Sequence, residues 1–459
     1  MNRTWTGVSV VAAAWLSWAG AAQAGTFALS DALAVAYTTN PQLAAQRAAL
    51  KATDENVAKA NGGWRPSVSA QGSYGDQDYH FSGTPLGYPS TNTTHPLQGQ
   101  VTLTQPVFRG GRTWAEIAKA KALVRAGRAQ LEGVEQTVLL AAATAYMDVV
   151  RDNAILELQR HNVQVLAKQL KATELQFKVG DLTRTDVAQA RARLAGAQSS
   201  LVSAEGQLAV SRANYEQVIG RPAETLADTT PLPGLPASLD AAEASAEKQN
   251  PTLIAAEETE RAADHAVDDS VGALMPQVSV QAQYGYSSAQ SFGGVLSQPA
   301  TVSTSLMAEL TVPLYQGGAD EADVRQAKQL HSQSQLNVMT SRRQVQDGVR
   351  AAWESYQSAQ ATIASNEAQM TANELAHEGV QREQEVGART VLDVLNAEQE
   401  LLNAQVAVVT SKRNAEVAAY QLLAATGQLT ARDQGLKVKL YDPGAYYDEN
   451  ASRWFGFGD

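Results

Sequence analysis

The sequence predicts a mainly α-helical chain that contributes to a membrane β-barrel, with four β-strands and long coiled-coil helices set in two tandem repeats. Three observations carry this reading. The chain repeats itself once with a period of about 207 residues. Two proline-free stretches each run for about 65 residues. Four runs of about 10 residues alternate between apolar and uncharged polar side chains.

Self-similarity at a fixed period dictates architecture, so the repeat comes first. Asn40-Pro41 returns as Asn250-Pro251, Pro66-Ser67-Val68-Ser69 as Pro276-Gln277-Val278-Ser279, and Tyr74-Gly75 as Tyr284-Gly285, all 210 residues on. Further along the offset is 207. Thr104-Gln105-Pro106-Val107-Phe108-Arg109-Gly110-Gly111 returns as Thr311-Val312-Pro313-Leu314-Tyr315-Gln316-Gly317-Gly318, Val179-Gly180 as Val386-Gly387, Asp186-Val187 as Asp393-Val394, and Gly220 as Gly427. The change of offset falls between Gly285 and Thr311, so one connecting loop is shorter in the second copy. A first repeat over 25–220 with a strand hairpin at 65–108 is therefore expected. A proline-rich linker over 221–239, a second repeat over 240–427 with a hairpin at 275–315, and a tail over 428–459 follow.

Each repeat reads helix, strand, strand, very long helix, helix. The first helix is expected from about Ser30 to Ala60 and the fifth from about Leu239 to Ala273, where Ala, Glu, Gln and Leu favour helix. Pro66 and Pro276 end those patterns. The long helices are expected over Thr113 to Lys178 and Ala319 to Glu385. At about 1.5 Å per residue, about 65 residues reach roughly 100 Å, a length used by coiled coils and helical tubes. Abundant alanine lets neighbouring helices approach closely.

The strands carry the membrane argument. Val68, Ala70, Gly72 and Tyr74 alternate with Ser69, Gln71 and Ser73; Leu97, Gly99, Val101 and Leu103 alternate with Gln98, Gln100 and Thr102. In the second repeat Val278, Val280, Ala282, Tyr284 and Tyr286 alternate with Ser279, Gln281 and Gln283, and Val302, Thr304, Leu306, Ala308 and Leu310 with Ser303, Ser305, Met307 and Glu309. A period of two is the mark of a strand, and this length fits one tilted across a bilayer. Tyr79, Phe81, Phe108, Phe292 and Tyr315 stand near the ends, where they are expected to form interface girdles. Glu309 is the only charge on the polar face of the fourth run. Only helices and closed barrels satisfy every backbone polar group in lipid. Four strands cannot enclose a lumen and about eight fill with side chains, so a homotrimer with a 12-stranded barrel above an α-helical barrel is expected.

Composition narrows the function. Arg3, the apolar stretch Val8 to Trp18 and Ala22-Gln23-Ala24 read as a signal peptide over 1–24, placing the mature chain outside the cytoplasm. No later apolar run is long enough for a membrane helix; Val138 to Met147 stops at Asp148. A net charge of −11 argues against a nucleic-acid partner. Without cysteine there is neither a disulfide framework nor an acceptor for an N-terminal lipid. The six histidines are scattered, and no zinc-protease, nucleophile-elbow or phosphate-loop pattern occurs, so no catalytic residue, metal or cofactor is expected. The main alternative is a secreted or envelope-anchored coiled-coil stalk or adhesin. It accounts for the long helices but not for the paired hairpins.

The most distinctive segment is Val386-Gly387-Ala388-Arg389-Thr390-Val391-Leu392-Asp393-Val394-Leu395-Asn396-Ala397, with Val179-Gly180-Asp181-Leu182-Thr183-Arg184-Thr185-Asp186-Val187 as its counterpart. From about Phe27 to Gly427 the chain resembles the TolC-like outer-membrane efflux family, and these segments match the family's helical tips. The resemblance implies a trimeric exit duct in the outer membrane with a periplasmic extension. Its partners would be a periplasmic adaptor and an inner-membrane transporter of an efflux or type I secretion system. It also implies that Asp393 lines a constricted periplasmic mouth, with Arg389 and Asp186 linking neighbouring coils and Arg191 close by. Two positions depart from the family pattern: Asn396 stands where a second acid is common, and Gln384 where a tyrosine belongs to the gate. Thr183 with Asp186, and Thr390 with Asp393, also have capping-box spacing, so helix capping is the competing role for both aspartates. Val179, Gly180, Val386 and Gly387 are the expected adaptor-docking positions.

Overall fold

The computed structural model describes residues 27–81, 90–227, 234–291 and 298–457. The expected signal peptide, part of the linker and Phe292 lie outside the described residues. Two helices that the sequence suggested as continuous are each broken. In place of one helix over Ser30 to Ala60 there are α1 (Leu29–Thr39) and α2 (Pro41–Asn61); in place of one over Leu239 to Ala273 there are α5 (Leu239–Gln249) and α6 (Pro251–Ala273). The break is the repeated Asn-Pro. Proline lacks an N–H and suits the first helical position, so it starts a helix rather than continuing one. Asn40 accepts from the N–H groups of Gln42 and Leu43 at 2.9 and 3.4 Å, and Asn250 from that of Thr252 at 2.9 Å. The same side chains donate across the fold, Asn40 to the Val218 carbonyl at 3.1 Å and Asn250 to that of Ala425 at 2.9 Å. One residue thus caps a helix and ties it to the end of another, once per repeat.

The long helices fall where the proline-free stretches put them: α3 (Arg112–Val179) and α7 (Ala319–Glu385). Each returns through a tight tip into α4 (Arg184–Ile219) or α8 (Val391–Thr426), making two helical hairpins. The main core lies at the broken-helix level, where Leu33, Leu43, Leu50, Leu139, Tyr146, Tyr215, Ile219 and Leu423 are buried. Burial is unequal between the repeats. Packed against α2, α4, α6 and α8, α3 buries side chains along much of its length, whereas α7 buries only Ala327 and Val349. Leu330, Leu336, Met339 and Leu375 of α7 stand exposed.

A half-buried charged network joins the two repeats. Arg413 of α8 pairs with Asp148 of α3 at 2.9 Å, and Arg151 pairs with Asp148 at 3.0 Å and with Asp152 at 2.7 Å. Asp152 in turn accepts from the Ser211 hydroxyl of α4. No spacing in the sequence marks this contact, because its members come from three helices.

The sheet has the order β1 (Ser67–Tyr74), β3 (Ser90–Arg109), β4 (Gln277–Ser291), β5 (Gln298–Thr311), all antiparallel, with β2 (Gln77–Phe81) also on β3. The first expected run, Val68 to Tyr74, falls within β1; β2 is an additional strand on the same partner, separated from β1 at Gly75-Asp76, where Asp76 meets the His95 ring at 2.5 Å. Register unites the apolar rows. Ala70 lies opposite Val101, Val101 opposite Tyr284 and Tyr284 opposite Thr304; Leu103 lies opposite Ala282 and Ala282 opposite Leu306. Opposed residues share a face, so one face of the sheet is apolar from edge to edge. The other carries Gln71, Gln100, Thr102, Gln283 and Ser305. Glu309 sits on that polar face and accepts from Gln281 at 2.9 Å. At the base, Trp64 and Trp114 meet edge to face at 4.6 Å, with Phe108 beside Trp114. Tyr315 is exposed.

The C-terminal tail is not a free appendage. Leu429, Ala431 and Leu436 join the main core, and the Ala431 N–H donates to Glu135 at 2.6 Å. The tail ends after a short helix, α9 (Ala445–Asn450), laid against α2.

Candidate functional site

The two tips are built alike. At the end of α3, Gly180 takes the left-handed conformation, φ 92°, and the Asp181 N–H closes back on the Gln176 carbonyl at 3.0 Å. At the end of α7, Gly387 takes φ 78°, and the Ala388 N–H closes on Glu383 at 2.8 Å. Glycine accepts this backbone without a Cβ penalty, so each helix stops there and the chain reverses. A Cβ at either glycine would point into open space, and Val179 and Val386 beside them are 74% and 80% exposed. All four expected docking positions are thus at the surface of the tips.

Both capping boxes form. Asp186 accepts from the Thr183 N–H at 2.8 Å and hydroxyl at 2.7 Å, while its own N–H donates to the Thr183 oxygen at 3.3 Å. Asp393 repeats this with Thr390 at 2.9, 2.8 and 3.2 Å. These bonds favour the ionised carboxylates. The Thr183 hydroxyl and N–H hold Asp186 below its ordinary pKa; the Thr390 N–H and hydroxyl do the same for Asp393, with a small contribution from Arg389. A lowered folded pKa means that the stabilising contribution is present above the unfolded value and is lost as pH falls through the lowered one. Protection of the tip amides, taken as exchange relative to the intrinsic rate at each pH, should therefore stay constant from neutral pH down to about pH 4 and fall only below it. An Asp186→Asn/Asp393→Asn variant should exchange faster already at neutral pH; unchanged exchange would show that the carboxylates do not hold the tips.

The expected Arg389–Asp186 link is not made within the chain. Asp186 is turned inward on its own cap, and Arg389 donates to Glu383 of its own hairpin at 2.9 Å. Arg191 likewise pairs within its hairpin, with Glu174 at 3.0 Å. The contact that does cross between hairpins is one the sequence did not reveal: Arg193 of α4 donates to Asn396 of α8 at 2.8 Å. It engages the very position where the family's second acid is missing. Gln384 contributes its carbonyl to the turn, accepting from the Gly387 N–H at 3.0 Å. Leu166, Ala190, Ala197, Val391 and Leu395 pack between the hairpins behind these groups.

Elsewhere, His331 pairs with Glu260 at 2.7 Å and with Asp264 at 3.8 Å, and His377 with Glu398 at 2.7 Å; both tie neighbouring helices together. No group of metal-binding side chains occurs among the described residues. Among those residues no helix is long and apolar enough to cross a membrane.

A sheet with one lipid-compatible face, carried above helical hairpins roughly 100 Å long, is the subunit plan of an outer-membrane channel. The sequence pattern of the outer membrane efflux protein family matches residues 32–221 and 244–428, and the chain belongs to that family. It is 34% identical over 451 residues to the outer membrane efflux protein BepC of Brucella suis, covering 97% of this chain and 96% of that protein. With the outer membrane protein TolC of Vibrio cholerae it shares 25% identity over 359 residues, 74% of this chain and 80% of that one. Among solved structures, the outer membrane protein VceC of Vibrio cholerae superimposes with a TM-score of 0.73 at 20% identity, covering 87% of this chain and 96% of that chain.

Proposed function

We propose that three copies assemble into a closed duct that serves as the outer-membrane exit of a tripartite efflux or type I secretion system. The observation that carries this is the pair of open sheet edges. Among the described residues β1 and β5 each lack a neighbour on one side, and unpaired backbone groups are not tolerated in lipid. Alternation of direction across the sheet makes β5 of one copy antiparallel to β1 of the next, so copies can continue the ladder until it closes. Three give twelve strands and a lumen. The exposed apolar positions of α7 find their cover at the same seam. The exposed tips suit a periplasmic adaptor, which couples the duct to an inner-membrane transporter.

The tips are also the resting constriction. Arg193–Asn396 holds the two hairpins together, and Asp393 from each copy gives the mouth a ring of negative charge that attracts cations. Single-channel recording in planar bilayers tests this. Arg193→Ser is expected to raise conductance severalfold, and Arg389→Ser, which frees only Glu383, to change it less. Asp393→Ala is expected to relieve block by divalent cations added on the side of the helices. Unchanged conductance and unchanged block in assembled channels would leave these residues as caps and struts.

A further inference from the structure

The tail climbs the helices toward the barrel. Its Tyr441 N–H donates to the Tyr37 hydroxyl at 3.0 Å, Tyr446 donates to Glu55 at 2.8 Å, and the Ala451 carbonyl accepts from Asn61 at 2.8 Å. At the top, Arg65, two residues before β1, donates to the carbonyls of Arg453 at 2.7 Å and Ser452 at 3.2 Å. Its guanidinium also lies 5.0 Å from the centre of the Trp454 ring. Successive contacts thus bring the last described residues to the level where the strands begin.

There the tail presents large apolar side chains that are mostly uncovered among the described residues. Trp454 is 59% exposed, Phe455 86% and Phe457 fully exposed. Surface aromatics cost free energy in proportion to the apolar area left in water, and so close a group is unexpected on a solvated surface. Two cations, Arg65 and Arg453, stand beside them. Aromatic rings with adjacent arginines are the composition of a membrane–water interface: rings enter the headgroup layer and guanidiniums meet phosphates. Arg65, which holds the patch, follows Trp64 of the Trp64–Trp114–Phe108 cluster at the base of the sheet.

We propose that Trp454, Phe455 and Phe457 form an anchor that enters the phospholipid interface of the outer membrane on the side facing the helices, with Arg65 and Arg453 on lipid phosphates. This gives the helical part a second attachment to the bilayer besides the barrel. The inference rests on the outer-membrane location and not on the number of copies.

Photo-crosslinking in native outer membranes tests it. A benzophenone amino acid replaces Phe455 in the full chain. The same group at Leu306, on the apolar face of β5, serves as a barrel control, and at Val179, on a tip, as a solvent control. The expected result is a phospholipid adduct at 455 on the order of tenfold above that at 179, since transfer of apolar rings from water into the interface is favourable. A protein–protein adduct at 455, or a lipid yield equal to that at 179, overturns the anchor. Lipid adducts at 306 in the same experiment show that the barrel reading stands in that case; their absence would place the fault there instead.

Discussion

Gly387→Trp is expected to abolish export while leaving the assembled channel in the outer membrane. None of the described residues lies within contact distance of a Cβ at Gly387, so the added ring meets no obstacle among them. What it fills is the open space beside Val386, where the proposed adaptor would dock. The φ of 78° adds strain for any residue with a Cβ, and Gly387→Asn separates the two effects, because asparagine tolerates the left-handed region. Co-purification of the adaptor should fall by about tenfold or more for tryptophan, equivalent to roughly 1.4 kcal/mol or more of lost contact, and only slightly for asparagine. Equal retention of adaptor by the tryptophan variant would move the docking surface away from the tips.

Gly427→Ala is expected to be among the most destabilising single-methyl changes in the protein, far more so than Gly220→Ala at the matching place in the first repeat. Both glycines end a returning helix with a left-handed backbone, φ 85° and 84°. That conformation alone costs alanine about 1 kcal/mol. The surroundings differ. At Gly220 a Cβ would meet only the Thr39 side chain, its hydroxyl at 3.2 Å and its Cβ at 3.8 Å, so that one side chain bonded to the Ile219 carbonyl must give by a few tenths of an ångström. At Gly427 it would lie 2.6 Å from the Gln249 carbonyl carbon and 2.9 Å from the Asn250 nitrogen, with the Gln249 oxygen closer still. Backbone cannot move aside there without disturbing Asn250, which caps α6 and holds α8. Overpacking of this kind adds about 1–3 kcal/mol or more. Thermal unfolding of the detergent-solubilised protein should show a clearly lower midpoint for Gly427→Ala and a drop of only a few degrees for Gly220→Ala. Equal midpoints would mean that α5 and α6 yield to the added methyl.

Much of this molecule was legible because its signals are local and occur twice. Alternation in ten-residue runs fixed which side chains share a face, and the absence of proline fixed the span of α3 and α7. The spacing of threonine and aspartate gave both capping boxes, and Val-Gly gave both reversals. Asn40-Pro41 and Asn250-Pro251 were visible as a repeat, yet a composition favourable to helix hid the break; a cap and a missing N–H outweigh propensity at that point. What the sequence did not reveal depends on residues distant along the chain. Arg193 was an unremarked cation on a helix until folding set it against Asn396, and Arg389 found a nearer partner in Glu383 than in Asp186. The tail matched neither repeat, so no periodicity placed it; its course along α2 is set by scattered hydrogen bonds to Tyr37, Glu55, Asn61 and Arg65. The sequence by itself determined the elements, their twofold order and the chemistry of each face, since these follow from periodicity and backbone preference. Only the tertiary structure decided which charges meet and where the last aromatics stand, because a pairing between distant residues is selected by geometry that no local spacing encodes.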